Sequence, residues 1–340
     1  MDKKIRIAIN GFGRIGRQFF KIAFESPDCE IVAINDLGEL DNLAYLLEFD
    51  SVYRGYDKKI EVKDGNLVVD GKTVKFIQQA DATKLPWKDL NIDVVIESTG
   101  RFTSSEKARV HINAGAKRVV ISAPAKDDIT PMCTPNVNVS SLSESKITSN
   151  ASCTTNAIMP LAAILSVAPG IKCSIVNTVH GYTAEQSIVD GPMPPLHKDM
   201  RRGRAAAQNI VPTTSGASGA VGKALPALAG KFDGMALRVP VPAGSILDFT
   251  FISEKETSVE EINKILKEAS VKPEWQGIFT VTEKPIVSSD ILQSSYGSVA
   301  DLKLTKVVGG NLVKIMAWYD NEWGYASMLL KHVVLLKNLL

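Results

Sequence analysis

The sequence predicts two domains of different texture: an α/β domain around a parallel sheet, then an α+β domain whose sheet is mostly antiparallel. Three observations carry this expectation. In the first third, short apolar runs alternate with helical patterns, as βα units do. A glycine-rich turn joins the first apolar run to the first helical pattern. Beyond about residue 150, β-rich stretches are joined by long connections, and strands and helices no longer alternate.

IRIAIN at 5–10 is the first strand, and EIVAIND, DVVIEST and RVVISAP follow it. RIGRQFFKIAFES places Ile15, Phe19, Ile22 and Ala23 at helical spacing, and SSEKARVHINAG repeats the pattern less strongly. The pairs Asp64-Gly65 and Asp70-Gly71, flanked by strand-like runs, predict a small antiparallel meander inserted in this unit. In the second half, KCSIVNTVHGYT, GMALRVPVP, SILDFTFIS and NLVKIMAWY are the β-rich stretches. SVEEINKILKEA is a helix opened by a capping box of Ser258 and Glu261. SCTTNAIMPLAAIL is a helix whose small hydroxyl residues mark its N-terminus. Pro160 lies too deep for the first turn if that helix starts at Ser152, so a kink or a later start is expected. The connection GYTAEQSIVDGPMPPLHKDMRRGR is long enough to be either functional or disordered.

At 340 residues, 45% hydrophobic and 22% charged, the chain has room for two cores of ordinary globular composition. A net charge of +2 gives no general reason to bind nucleic acid or an anionic membrane, although a local cluster can still hold an anion. Cys29, Cys133, Cys153 and Cys173 are sparse and irregularly spaced. They suggest neither a disulfide framework nor a zinc site, and no other metal-ligand cluster stands out, so a reducing, cytoplasmic setting is expected. No run approaches the ~18 apolar residues of a membrane span. MDKKIRIAING has no long apolar h-region, so a secretory address is not expected.

Gly11-Phe12-Gly13-Arg14-Ile15-Gly16 follows the first strand and opens the first helix, and Asp36 ends the second strand 20 residues after Gly16. In that context GxGxxG is a dinucleotide-binding fingerprint, which makes the first domain a Rossmann fold. The glycines let backbone approach a pyrophosphate at a helix N-terminus. Asp36 accepts from the adenosine ribose hydroxyls and repels a 2′-phosphate, so NAD is expected over NADP. A tight turn beside a surface aspartate is the bland alternative.

Cys153 stands in SNASCTTN, among hydroxyls and amides rather than the apolar neighbours of a packing cysteine. Unpaired N–H groups at a helix N-terminus lower a thiol's pKa, so a nucleophilic thiolate is expected. His180 ends the apolar run KCSIVNTV, where it can enter a cleft and take the thiol's proton. Each residue alone also fits a buried structural role, and spacing does not show that they meet. His111, in a helix expected at the surface, and His332, in the last helix, have no polar partners nearby in sequence and are read as structural. Arg238 interrupts GMALRVPVP, so it is either salt-bridged at a sheet edge or aimed at an anion. Arg201, Arg202 and Arg204 pose a similar choice between a solvated loop and an anion site.

INGFGRIGR, Asp36, STG at 98–100, ISAP at 121–124, SNASCTTN, VHGYT, RRGRAAAQNIVPTT, MALRVP and WYDNEWGY follow one another in an order and spacing that resembles phosphorylating glyceraldehyde-3-phosphate dehydrogenase over nearly the whole chain. SCTTN with a histidine 27 residues on is the most specific part. The resemblance implies a glycolytic enzyme that oxidises D-glyceraldehyde 3-phosphate with NAD and inorganic phosphate to 1,3-bisphosphoglycerate. Cys153 would carry a thioester, with His180 as base and hydrogen-bond donor. Cofactor contacts are implied at Gly11, Gly13, Arg14, Ile15, Gly16, Asp36, Ser98, Thr99, Gly100, Ser122 and Asn321, the last holding the nicotinamide carboxamide. The substrate phosphate would meet Thr183 and Arg238, and the attacking phosphate Ser152, Thr154, Ser215 and Gly216. Between the two sites the resemblance puts one of Arg201, Arg202 and Arg204.

The same resemblance implies a homotetramer whose loop at about 182–204 packs on a neighbouring subunit. It divides the chain into an NAD-binding domain at 1–152, a catalytic domain at 153–319 and a final helix at 320–340 returning to the first. Ala157 stands where many members have a second cysteine, Ser215 replaces a common threonine, and CTPNVN at 133–138 and Ala80 also depart from the usual pattern. The rival readings are an erythrose 4-phosphate dehydrogenase and a non-catalytic NAD-binding interaction protein. Retention of Cys153, His180 and Arg238 argues against the second.

Overall fold

The computed structural model describes residues 3–192 and 199–340. The chain divides into one unit of Met1–Cys133, Val139–Ala151 and Leu329–Leu340, and another of Thr134–Asn138 and Ser152–Met328. Relative to the division expected from sequence, residues 134–138, Ser152 and residues 320–328 go with the second unit.

The first unit opens with β1 Ile5–Asn10, α1 Arg14–Phe24, β2 Cys29–Asn35 and α2 Leu40–Glu48. The two-residue strands β3 Phe49–Asp50 and β4 Arg54–Gly55 pair with each other. The meander β5 Ile60–Lys63, β6 Asn66–Val69 and β7 Lys72–Ile77 comes next, then β8 Val94–Glu97, α3 Ser105–Asn113, β9 Arg118–Ile121 and β10 Ile147–Ser149. The main sheet has the order β10-β9-β8-β1-β2-β7-β6-β5. Its pairings are parallel from β10 to β7 and antiparallel through the meander. The Asp-Gly pairs turn as the sequence predicts, with φ of 50° and 70° at Asp64 and Gly65 and of 47° and 75° at Asp70 and Gly71. Two positive φ angles in succession are what a two-residue type I′ hairpin needs. Ile5, Ile7, Ala8 and Ile9 are all buried, as expected of a parallel strand covered on both faces.

Helix α1 departs from its apolar pattern. Phe19, Phe20 and Ala23 are buried, but so are Gln18 and Lys21, whereas Ile15 and Ile22 are only half-buried. The cause is the buried carboxylate of Asp50, which accepts from Arg14 Nη1 at 2.7 Å and Gln18 Nε2 at 2.8 Å. With the Tyr56 ring lying 5.1 Å from Lys21 Nζ, the chain around 50–56 covers a face that would otherwise be solvated.

Helix α3 is not a surface helix at His111, which is fully buried on the same face as Ser105 and Ala108. Trp87 Nε1 donates to His111 Nδ1 at 3.1 Å, and Nε2 lies 3.0 Å from Glu97 Oε2. An indole N–H only donates, so Nδ1 carries the lone pair and Nε2 the proton offered to Glu97. His332 is also fully buried, with Nε2 2.9 Å from Thr148 Oγ1 and Nδ1 3.2 Å from Asn150 Oδ1. Burial lowers its pKa to about 3. Both histidines have polar partners, supplied from elsewhere in the chain.

The second unit contains α4 Cys153–Val167, β11 Ile171–Gly181, β12 Val211–Thr214, α5 Ala217–Ala224, β13 Phe232–Val239, β14 Ser245–Ser253, α6 Val259–Ser270, β15 Phe279–Thr282, β16 Ser298–Val308 and β17 Leu312–Tyr319, and α7 Trp323–Leu335 begins in it. Its sheet runs β12-β13-β11-β14-β17-β16-β15, antiparallel except for β11–β13 and β15–β16. Alternation along β14 buries Leu247, Phe249 and Phe251 while Ile246, Asp248 and Thr250 face outward. Ser258 caps α6 by accepting from Glu261 N at 3.2 Å, and the Glu261 carboxylate takes the Thr257 hydroxyl.

Helix α4 packs on β11, β14, β16 and β17. It is continuous from Cys153 to Val167 with Pro160 inside, so the later start does not occur. Pro160 has no N–H for the Asn156 carbonyl. Gly297 lies beside that carbonyl, where an added Cβ would stand 3.3 Å from the oxygen. Among the described residues no helix is long and apolar enough to cross a membrane.

Candidate active site

In the first unit the chain leaves β1 for β2 on one side, while β8 pairs on the other, and a crevice opens at the C-terminal ends of these strands. The cleft measures about 290 Å³ and is lined by Asn10, Gly11, Gly13, Asn35, Asp36, Leu37, Gln79, Ala80, Ala82, Ser98, Thr99, Arg101 and Phe102. Gly11 has φ +97°, and a Cβ there would stand 2.7 Å from the Ser98 carbonyl carbon and the Thr99 nitrogen. A Cβ on Gly16 would collide with the Gly11 carbonyl oxygen. Gly13, the N-cap of α1, faces open space and makes no side-chain cap, so the first N–H groups of the helix are suited to a pyrophosphate.

The Asp36 carboxylate is oriented by Phe12 N at 2.6 Å and Gly38 N at 2.8 Å, and it retains acceptor capacity for ribose hydroxyls. These features fit NAD. Ser98 Oγ donates to the Gly11 carbonyl at 2.6 Å, and the Thr99 N–H and hydroxyl both reach Glu97 Oε1. The buried Trp87–His111–Glu97 chain therefore braces the 98–100 turn, a role no local sequence signal announces. Arg14, Ile15, Gly16, Gly100 and Ser122 lie outside the lining. Arg14 pairs with Asp50, Ile15 is half-buried on α1, Gly100 has φ +72°, and Ser122 N bonds the Glu97 carbonyl at 2.9 Å.

In the second unit, strand register assembles the candidate chemistry. β11 and β13 run parallel with His180 opposite Arg238, and alternation along β11 buries Val176, Thr178 and His180 on one face. Ser152 caps α4 by accepting from Thr155 N at 3.0 Å, so Cys153 is the first helical residue. Cys153 Sγ lies 3.3 Å from His180 Nε2. The buried Tyr319 hydroxyl ties the two elements together, 3.1 Å from Thr154 Oγ1 and 2.6 Å from Thr178 Oγ1, with its ring edge-on to His180. WYDNEWGY contains Tyr319, but its partners emerge only in the fold.

Packing around the sulfur pushes the Cys153 thiol up, while the charge of Arg238 and hydrogen bonds from Thr154 pull it down. Desolvation wins, so the depressed value expected at a helix N-terminus is not what this site produces. Burial and the charge of Arg238 lower His180 to about 3, which keeps the imidazole neutral near pH 7. Both shifts favour the uncharged forms of the pair.

Two groups compete for His180 Nδ1: the Gly181 carbonyl at 2.6 Å and Arg238 Nη1 at 2.7 Å. A guanidinium only donates, so its contact needs a lone pair on Nδ1 and puts the ring proton on Nε2. The carbonyl needs Nδ1–H, which leaves Nε2 to accept from Cys153. Only the second tautomer is a base toward the thiol.

Arg238 Nη1 also reaches Thr183 Oγ1 at 3.3 Å. Arg202 is mostly buried, with Nε 3.0 Å from Thr213 Oγ1 and Nη1 3.1 Å from Glu185 Oε1. Arg238 Nη2 lies 3.6 Å from the same Glu185 oxygen. Arg201 and Arg204 are exposed and pair with Asp199 and Asp190 instead. Cys153, His180, Thr183, Arg202 and Arg238 thus come together, and Arg201 and Arg204 stay outside.

Ser215 and Gly216 stand at the N-terminus of α5, which packs on α4, and Ser215 Oγ accepts from Ala217 N at 3.3 Å. Asn321 is buried, its Oδ1 accepting from Gly244 N at 3.0 Å and Ser245 Oγ at 2.9 Å. Within the loop at about 182–204, residues 193–198 lie outside the described residues. Its limbs are joined by Gly191 N to the Gly203 carbonyl at 2.9 Å.

The family model described as glyceraldehyde 3-phosphate dehydrogenase, NAD binding domain, matches residues 5–105, and that for the C-terminal domain matches residues 152–321. The glyceraldehyde-3-phosphate dehydrogenase of Borreliella burgdorferi is 50% identical over 329 residues, covering 95% of this chain and 97% of that one. That of Thermotoga maritima is 49% identical over 335 residues, with 97% and 98% covered. That of Geobacillus stearothermophilus is 46% identical over 323 residues, with 95% of each covered. With both family models matched and a cleft that fits the dinucleotide, the chain belongs to the glyceraldehyde 3-phosphate dehydrogenase family, and NAD is its cofactor.

Proposed function

We propose that this chain is a glycolytic, phosphorylating glyceraldehyde-3-phosphate dehydrogenase that converts D-glyceraldehyde 3-phosphate and inorganic phosphate to 1,3-bisphosphoglycerate through a thioester on Cys153. The observation that carries this reading is the Cys153 Sγ to His180 Nε2 distance of 3.3 Å at the first residue of a helix. With Nδ1–H on the Gly181 carbonyl, His180 takes the thiol's proton as sulfur bonds to the aldehyde carbon. The protonated ring then donates to the oxygen of the hemithioacetal. Bound NAD supplies the acceptor for the hydride that leaves this carbon. As the hydride leaves, the hydroxyl proton passes back to His180 Nε2 and the acyl group remaining on sulfur is a thioester; phosphate attack then releases the mixed anhydride, and the departing thiolate recovers its proton from His180.

Thr183, Arg202 and Arg238 are read as the seat of the substrate's own phosphate, where two guanidinium forks suit a dianion. An anion that draws Arg238 toward itself relieves His180 Nδ1 of that donor, which favours the base tautomer. Ser152 and Thr154 at the start of α4, with Ser215 and Gly216 at the start of α5, are read as donors to the attacking phosphate. Because Asn321 Oδ1 is engaged, its Nδ2 is the group read as meeting the nicotinamide carboxamide oxygen. Asp36 favours NAD over NADP, since a 2′-phosphate would face its carboxylate. The first unit is read as the NAD-binding domain and the second as the catalytic domain.

Exposed apolar side chains support a homotetramer: Ile175 and Met235 on the sheet of the second unit, and Ile188, Val189 and Met200 in its long loop. Four free thiols support a reducing, cytoplasmic setting. A mixture of protein, NAD, phosphate and D-glyceraldehyde 3-phosphate should form NADH rapidly. Replacing NAD by NADP, or omitting phosphate, should remove most steady turnover. Turnover indifferent to phosphate, or faster on erythrose 4-phosphate, would reject the reading.

A further inference from the structure

The seat read as the substrate phosphate's already holds an anion. Glu185 Oε1 lies 3.1 Å from Arg202 Nη1 and 3.6 Å from Arg238 Nη2. One side chain thus engages both arginines assigned to that phosphate, and Arg238 in turn reaches Thr183. Burial pushes the Glu185 carboxyl up, but Arg238, Thr183 and Arg202 together pull it below the usual carboxylate range, so it is ionised near pH 7. The chemistry at Cys153 has no use for this carboxylate.

Two further observations bear on what it does. Glu185 follows Thr183 by two residues in the connection after β11, outside any helix or strand, so it can turn away without breaking regular structure. Arg238 Nε is buried without a hydrogen-bond partner, so Glu185 leaves part of this guanidinium unserved.

We propose that Glu185 is an internal stand-in for the substrate's phosphate and sets the affinity of this site by competing for Thr183, Arg202 and Arg238. The proposal rests on the assignment of those three residues to the substrate phosphate. Two guanidinium groups this close repel unless an anion lies between them, and a single carboxylate meets that need in the absence of substrate. A phosphate brings more charge and three acceptor oxygens, which suits two guanidinium forks better. It cannot share the seat with Glu185, because two anions at contact distance repel strongly in a half-buried site. Part of the phosphate's binding energy is therefore spent on displacing the carboxylate.

The test is calorimetric titration with sn-glycerol 3-phosphate, which has the substrate's phosphate and carbon chain but no aldehyde, on wild type, E185Q and R238Q. E185Q should bind about tenfold more tightly, the equivalent of ~1.4 kcal/mol. Its KM for D-glyceraldehyde 3-phosphate should fall by a similar factor. R238Q should lose the ligand. If E185Q binds equally or more weakly while R238Q loses binding, the carboxylate only braces the arginines and this proposal falls alone. If R238Q binds like wild type, the phosphate seat lies elsewhere and both readings fall. Should E185Q unfold by circular dichroism, E185A carries the same expectation of tighter binding, and its failure to tighten overturns the proposal.

Discussion

Replacing Cys153 by serine should cut NADH formation at least ~10³-fold, about 4 kcal/mol of transition-state stabilisation, while NAD binding is retained. The hydroxyl fits where the thiol sat, and the cap made by Ser152 is untouched. What changes is the nucleophile. An alcohol is a much weaker nucleophile than a thiol at neutral pH, and an oxygen ester lacks the reactivity toward phosphate that a thioester keeps. The cleft residues Gly11, Asp36 and Ser98 are all distant in sequence from the substitution, so calorimetric NAD titration should be unchanged. Substantial residual turnover would reject the covalent scheme.

His180→Asn should lower kcat by roughly 10²–10⁴-fold, the usual worth of a positioned general base. The pH dependence is the sharper readout. Burial pushes the Cys153 thiol up, so without His180 its thiolate fraction, and with it the rate of alkylation by iodoacetamide, should be small at neutral pH and climb through the alkaline range. In the wild type, Nε2 receives the proton locally and the reaction proceeds near neutrality. His180 itself, lowered to about 3, stays neutral across that range, so it keeps a lone pair for the proton. Identical pH profiles for the variant and the wild type would contradict the assigned role.

Features written in a few adjacent residues were legible. The strand, glycine turn and helix at 5–24 were readable because Gly11 needs φ +97° and Gly16 has no room for a side chain. The Asp-Gly hairpins and the cap at Ser152 are equally local. Quantities set by packing were not legible. His332 finds Thr148 184 residues away, and Tyr319 reaches Thr154 and Thr178 across 165 and 141 positions. The direction of the Cys153 shift depends on how much water the fold removes from the sulfur, which no neighbour in sequence reports. The different partners of Arg201, Arg202 and Arg204 likewise emerge only in the fold.

An acyl group on Cys153 is tested most directly by quenching a mixture of protein, NAD and D-glyceraldehyde 3-phosphate without inorganic phosphate and mapping the adduct by peptide mass spectrometry. The predicted result is a burst of about one NADH per chain, as covalent catalysis gives when the second step is blocked. The acyl mass should sit on the peptide containing Cys153 and vanish when phosphate is added. Sustained NADH formation with no adduct, or an adduct confined to Cys29, Cys133 or Cys173, would contradict it.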